Sequence, residues 1–324
     1  MADPTSSSAS SSAILVPYRA VGLIAADSIP FSAAQLGEET FITTSIGRSF
    51  QVFSRTKLRL AFVGPQLARS VTALLSADER TIVAAGPSVH VYRRAELVLT
   101  CEGEHTAPVR RLLLLGDSLL TVCDAGVLTV WQLPSGEVTQ RLHAGFAPSC
   151  LCHPATYLNK VVLGAPDGRL ELWNLRSGAR VHAFAGHLPP GEAKSGAAPA
   201  VGAVLCMEQS PALDVLGIGH ASGRLVLHNL KADQQVLSLS HERGDAVTAL
   251  AFRTDGQPIL VTGSSRGALH VWNLAKRSRV TTLPAAHVGA VASAYFCRGF
   301  PELVTLGATD NCLRVWLFDR EDGV

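Results

Sequence analysis

The sequence predicts an all-β fold, a ring of seven four-stranded blades, from three observations. Four tryptophans, Trp131, Trp173, Trp272 and Trp316, follow one another at intervals of 42, 99 and 44 residues. Each closes a similar apolar run, GVLTVWQL, GRLELWNL, GALHVWNL and NCLRVWLF. Five positions before the ring stands Gly126, Gly168, Gly267 or Asn311, residue types that accept the positive φ of a tight turn entering a strand. A period of about 40 residues with four short strands is the size of a propeller blade, whereas leucine-rich repeats are shorter and tetratricopeptide and armadillo repeats are helical.

In chain order, the first copy of the run is GRSFQVF, ending at Phe53, and the second is PSVHVY, ending at Tyr92; another aromatic ring takes the tryptophan's place. Trp131 and Trp173 close the third and fourth. The 99-residue interval hides a fifth, GRLVLHNL, opened by Gly223 and closed by His228. Trp272 and Trp316 close the sixth and seventh. In every copy the residues three and one before the ring are apolar, from Phe50 and Val52 to Leu313 and Val315. Side chains two apart share a strand face, so each run is a strand with one face buried. A second β-rich run precedes each turn: TFITT, TIVAA, LLTVC, KVVLG, DVLGIG, PILVTG and ELVTL. The unit is therefore a hairpin with flanking strands.

Closure of the ring is expected to use the beginning of the chain. Eight residues follow Trp316, too few for a turn and an outer strand. The segment Ile14 to Ile24, ILVPYRAVGLI, is otherwise unassigned, and pairing it with the last blade removes two exposed sheet edges. The expected organisation is a serine-rich disordered tail over residues 1–13, a propeller over 14–319 and a short tail over 320–324. Within the propeller, LPPGEAKSGAAPA, residues 188–200, lengthens the interval between Trp173 and His228 and reads as a surface loop insertion.

Composition fits one large β ring. The chain has 324 residues, 47% of them hydrophobic, and a formal net charge of +2, which argues for neither a dedicated nucleic-acid clamp nor an acidic tail. No apolar stretch approaches the ~20 residues of a membrane span, so no membrane partner is expected. The seven cysteines are dispersed without a C-x-x-C spacing and read as reduced thiols. Cys150, Cys152 and His153 form the one cluster with metal-ligand chemistry; two paired spacings are wanting, so packing is expected and no metal or cofactor.

Several residues carry chemistry that the repeat itself explains. Gly263 to Gly267, GSSRG, satisfies the G-x-S-x-G pattern of a hydrolase elbow around Ser265, but that motif needs a strand followed by a helix, and Gly267 opens a strand. No phosphate-binding G-x-x-x-x-G-K-[ST] occurs. No catalytic residue and no small-molecule substrate are expected. His105, His187, His241 and His287 each precede a blade's first strand, and their recurrence points to structure: a histidine there can join a strand hydroxyl, the turn and the tryptophan in one hydrogen-bonded chain. The last blade has the fullest set, His287, Thr305 or Thr309, Asp310 and Trp316. Arg48, Arg169, Arg224 and Arg266 sit at turns that share one face of a propeller. They offer a shallow basic surface to an acidic partner or an RNA backbone, set against the ordinary reading of arginine as a solvated turn residue.

Longer stretches carry a resemblance beyond the generic WD-repeat propeller. YRAVGLIAADSIPFSAAQLGEETFITTSIGRSFQVF, HPATYLNKVVLGAPDGRLELWNL, FRTDGQPILVTGSSRGALHVWNL and ATDNCLRVWLFD resemble the first propeller of the family of WD repeat-containing protein thirty-six, in yeast nomenclature U-three small nucleolar RNA-associated protein twenty-one. The likeness runs from about Tyr18 to Asp319. It implies a seven-bladed WD-repeat β-propeller and a nucleolar scaffold subunit of the UTP-B subcomplex in the small-subunit processome. The implied partners are other processome proteins and precursor or small nucleolar RNA. Members of that family continue into a second propeller and a helical region. The competing expectation is a substrate receptor of a ubiquitin ligase, faintly suggested by WNLR at Trp173 to Arg176, where asparagine departs from the W-D-x-R pattern.

Overall fold

The computed structural model describes residues 15–21, 29–185, 187–188 and 202–318. The tails expected over 1–13 and 320–324, and the insertion from Pro189 to Ala200, lie outside the described residues. The described chain forms seven antiparallel sheets of four strands each. A single 3-10 turn, Arg55–Lys57, is the only helical element among the described residues.

The runs read from the sequence are the third strands of the blades: Ser49–Ser54, Ser88–Arg93, Val127–Gln132, Leu170–Asn174, Arg224–Asn229, Leu269–Asn273 and Leu313–Phe318. The turns entering five of them hold the positive φ that glycine or asparagine was expected to supply, at Gly126, Gly168, Gly223, Gly267 and Asn311. Opposite each ring residue, the outer strand carries one extra residue, from Ala61 and Val98 to Val236 and Val280. The bulge bends each outer strand at the same height, so the blades twist alike.

The seventh blade is assembled from both ends of the propeller. Its inner strands are Val291–Phe296, Glu302–Gly307 and Leu313–Phe318, and its outer strand is Leu15–Val21, antiparallel to the third. Pro17 pairs with Trp316 and Arg19 with Val315, so Tyr18 occupies the bulge that the other outer strands make within one continuous stretch of chain. The joint between blades 7 and 1 is held further by an Arg55–Glu302 ion pair at 2.6 Å, and by the Arg55 guanidinium stacked 3.7 Å from the Phe300 ring centre.

The core is divided among the blade interfaces. Seven buried apolar clusters each draw on two neighbouring blades; Ile42 and Phe53 pack with Val304 and Val315, and Leu225 and Leu227 with Phe252 and Trp272. Second-strand glycines set how closely blades approach. A Cβ on Gly263 would lie 2.5 Å from Val291 Cβ, and one on Gly219 would lie 2.7 Å from Val247 Cγ1. Close stacking of sheets demands glycine here.

Candidate interaction surface

Polar groups inside the blades are spent on holding strands together. In blade 7, His287 Nε2 lies 2.7 Å from Thr305 Oγ1, Trp316 Nε1 donates to the same hydroxyl at 2.8 Å, and His287 Nδ1 lies 3.1 Å from Asp310 Oδ2. Burial holds His287 below its ordinary value, against the pull of Asp310. Burial also works to raise Asp310, but the N–H groups of Cys312 and Val288 and the neighbouring His287 outweigh it and keep the carboxyl below the usual carboxylate range. The proton order follows: tryptophan donates to threonine, threonine to a neutral imidazole, and imidazole to a carboxylate. The hydroxyl in this chain is Thr305. Thr309 instead stands where a Cβ on Gly289 would collide with it.

The other blades vary this arrangement. In blade 3, His105 Nε2 and Trp131 Nε1 meet Thr121 Oγ1 at 2.6 and 2.9 Å, and in blade 6, His241 Nε2 and Trp272 Nε1 meet Thr262 Oγ1 at 2.7 and 2.9 Å. Ala125 and Arg266 stand where blade 7 has Asp310, so those chains stop at the histidine. Blade 4 has Leu163 in the threonine's place, and Trp173 Nε1 donates to Glu171 Oε2 at 2.9 Å. That buried carboxylate also takes the Arg180 guanidinium at 3.0 Å. The sequence did carry this signal, since Glu171 and Trp173 share one strand face. In blade 5, His187 Nε2 donates to the Gly168 carbonyl at 3.0 Å.

The remaining chemistry-bearing residues have local partners. Ser265 Oγ donates to Asp245 Oδ1 at 3.0 Å, so the hydroxyl of the G-x-S-x-G run is paired with a carboxylate. Gly267 there is fixed by its φ of 84°, and Gly263 by the approach of Val291. His153 Nδ1 donates to the Lys160 carbonyl at 2.8 Å, and burial pushes the Cys150 and Cys152 thiols up to about 12. All seven cysteines are free.

The arginine turns lie at one end of the blades, since every second-to-third-strand turn of these antiparallel sheets opens at the same end. Three of the four guanidinium groups are engaged locally. Arg48 Nε donates to the Leu67 carbonyl at 2.8 Å. Arg169 pairs with Asp167 at 2.7 Å and lies over the Phe146 ring. Arg224 donates to Ser238 Oγ at 3.1 Å and to Gln235. Arg266 is exposed and has no ion-pair partner among the described residues. The connections leading into the inner strands reach the same end and add exposed Arg69 and Arg243. The Arg266 guanidinium sits 3.6 Å from where a Cβ on Gly244 would stand, beside Arg243. Counting back from the ring residue reached only the turns, so Arg69 and Arg243 were not seen in the sequence.

Comparison with known proteins places this ring in a narrower group. Residues 42–319 match the family described as the WDR36/Utp21 first beta-propeller. The U3 small nucleolar RNA-associated protein 21 homolog of Schizosaccharomyces pombe is 35% identical over 320 residues, covering 96% of this chain and 34% of that protein. WD repeat-containing protein 36 of Homo sapiens is 35% identical over 321 residues, again with 96% and 34% coverage. The chain thus spans about a third of the length of these relatives. Among solved structures, a chain of the structure titled "Crystal Structure of Mitotic Checkpoint Complex" superposes with a TM-score of 0.79 at 14% identity, covering 98% of this chain and 96% of that one, a likeness of fold alone. By the family match and the identity to these relatives, this chain belongs to the WDR36/Utp21 first beta-propeller family.

Proposed function

We propose that this propeller is a non-catalytic scaffold in small ribosomal subunit biogenesis, acting in the nucleolus within the UTP-B subcomplex of the small-subunit processome. The observation that carries this reading is the family match over 42–319, joined to relatives whose names associate them with the U3 small nucleolar RNA. A ring of separately cored blades suits the role, because it keeps its shape while several faces bind at once. Three of the four recurrent histidines, His105, His241 and His287, support the reading, since their hydrogen bonds run to threonines of their own blades.

The arginine-bearing end is assigned to the phosphate backbone of precursor or small nucleolar RNA, with other UTP-B proteins as the remaining partners. Guanidinium groups suit phosphate, and such contacts position RNA without reading its sequence. Arg266 and Arg243 are the strongest contributors, because neither has an ion-pair partner among the described residues. Affinity purification of the chain from cells is expected to recover UTP-B proteins and precursor ribosomal RNA. Recovery of a cullin adaptor in their place would establish the ubiquitin-ligase alternative. Reversing Arg266 and Arg243 to glutamate is expected to reduce RNA crosslinking and flatten its salt dependence, while Arg48→Glu has the smaller effect. Equal crosslinking in all three proteins removes RNA from this face.

A further inference from the structure

Blade 6 brings together three buried side chains that the hydrogen-bonded chain of that blade does not fully use. His241, Asp245 and His270 are each more than nine-tenths buried, at 7%, 3% and 1% exposure. One nitrogen of each imidazole and one carboxylate oxygen lie within 4.8 Å of one another. His270 Nε2 and Asp245 Oδ2 are 3.8 Å apart, too far for a hydrogen bond. His241 Nδ1 and His270 Nε2 are buried without a hydrogen-bond partner.

The outer contacts of these groups match those of metal ligands. His241 Nε2 lies 2.7 Å from Thr262 Oγ1, and His270 Nδ1 lies 3.0 Å from Thr282 Oγ1. Where Nε2 of His241 and Nδ1 of His270 carry the protons and donate to threonine, for His241 the tautomer opposite to that of His287 in blade 7, Nδ1 of His241 and Nε2 of His270 carry lone pairs. Asp245 Oδ1 is occupied by Ser265 Oγ and the Arg266 N–H at 3.0 and 3.2 Å, which orients the carboxylate and leaves Oδ2 free. Metal-bound histidines characteristically donate their second N–H in this way. An ion equidistant from the three atoms would stand about 2.8 Å from each at most, against the ~2.0–2.2 Å of bound zinc, so a modest contraction completes the site.

We infer that His241, His270 and Asp245 bind a divalent ion of the zinc class, with Glu242 or water as the fourth ligand. Glu242 Oε2 lies 3.9 Å from His270 Nε2 at the exposed rim, where it also pairs with Arg279. Asp245 and Glu242 both lie beside the gap, with Arg279 paired to Glu242 at its rim. Two histidines and a carboxylate suit zinc better than calcium or magnesium, which prefer oxygen.

The arrangement belongs to blade 6. Blades 3 and 7 keep the histidine, threonine and tryptophan but have Thr129 and Arg314 in place of His270, and Ala107 and Gly289 two residues before the inner strand, where Asp245 stands. The connection is also longer: His241 precedes Val247 by six residues, whereas His105 and His287 precede Val109 and Val291 by four. The added length lets Asp245 fold back over the two imidazoles. A bound ion would tie this connection to the third strand, the task that Asp310 performs in blade 7.

The test uses tag-free chain stripped with chelator and titrated calorimetrically with zinc, beside Asp245→Asn, His270→Gln and, as a control in blade 3, His105→Gln. One equivalent is expected to bind to the parent and the control, and to raise their melting temperatures. Either blade 6 variant should bind at least about 10- to 100-fold more weakly, the loss that even outer-shell changes produce. Cobalt in the parent should give a tetrahedral spectrum without thiolate charge transfer, a readout independent of how well the variants fold. Absence of one-equivalent binding in the parent, unchanged uptake in Asp245→Asn, or a thiolate band from cobalt overturns the assignment. In each of those outcomes the three groups are a hydrogen-bonded cluster only.

Discussion

Thr305 Oγ1 accepts the Trp316 N–H and meets His287 Nε2 within one buried site. Thr305→Val keeps the shape and strands both partners, so unfolding free energy is expected to fall by about 1–3 kcal/mol for each group left unpaired. Denaturant midpoints read this directly, and an unchanged midpoint would show that the chain of bonds does not stabilise blade 7. A second expectation concerns acid. Burial holds His105 down to about 4, helped by Arg141 and opposed by Glu104, and holds His220 down to about 3, helped by His187 and Arg224. These groups take up protons more readily when unfolded, near 6.5, so their contribution is complete above that pH and is lost as pH falls through it toward the folded values. Stability should therefore decline between pH 6.5 and 4, and a flat midpoint across that window would be inconsistent with neutral buried imidazoles. At this scale the sequence was legible wherever a residue repeats with the blades. It was legible only in part where a blade improvises: Glu171 and Trp173 share a strand face, whereas Asp245 over His270 depends on a contact that no period encodes.

Among the strands, apolar alternation before each ring residue identified every third strand, and turn residues marked where each begins. The bulges could not be read, because the extra residue in an outer strand is visible only against its partner. Gly263 shows how one residue answers to two elements. It lies in a second strand, and a side chain there would press into Val291 of the next blade's inner strand. Gly263→Val is expected to destabilise by about 1–3 kcal/mol through overpacking, with Gly256→Ala as a comparison whose Cβ meets nothing within 4 Å. Gly256 has a φ of 89°, so alanine there reports backbone strain alone. Equal stability of Gly263→Val and the parent would mean that blades 6 and 7 are not in tight contact.

For the whole molecule, seven blades and the closing strand were legible because the last blade lacked a strand and the first residues had no assignment. The arginine surface was legible only in part. Turns are found by counting from the ring, whereas the connections carrying Arg69 and Arg243 reach the same end only once the strands are laid antiparallel. Removing Leu15–Val21 is expected to leave blade 7 with three strands and an open edge beside blade 1, giving an aggregating or unstable protein. A deletion variant that melts cooperatively at the parent temperature would show that closure is dispensable.

The same outer strand fixes an order of events during synthesis. Among the strands of this propeller Leu15–Val21 leaves the ribosome first, and its partner Leu313–Phe318 is made last. At about 5–20 residues per second, the early segment waits roughly 15–60 s with its backbone groups unpaired. Blades 1 to 6 can stack one on the next as they emerge, while the seventh forms only when the ring is otherwise complete. A ribosome stalled before Leu313 would therefore display an unclosed ring with a free strand at its start, a form that chaperones and proteases can tell from the finished propeller.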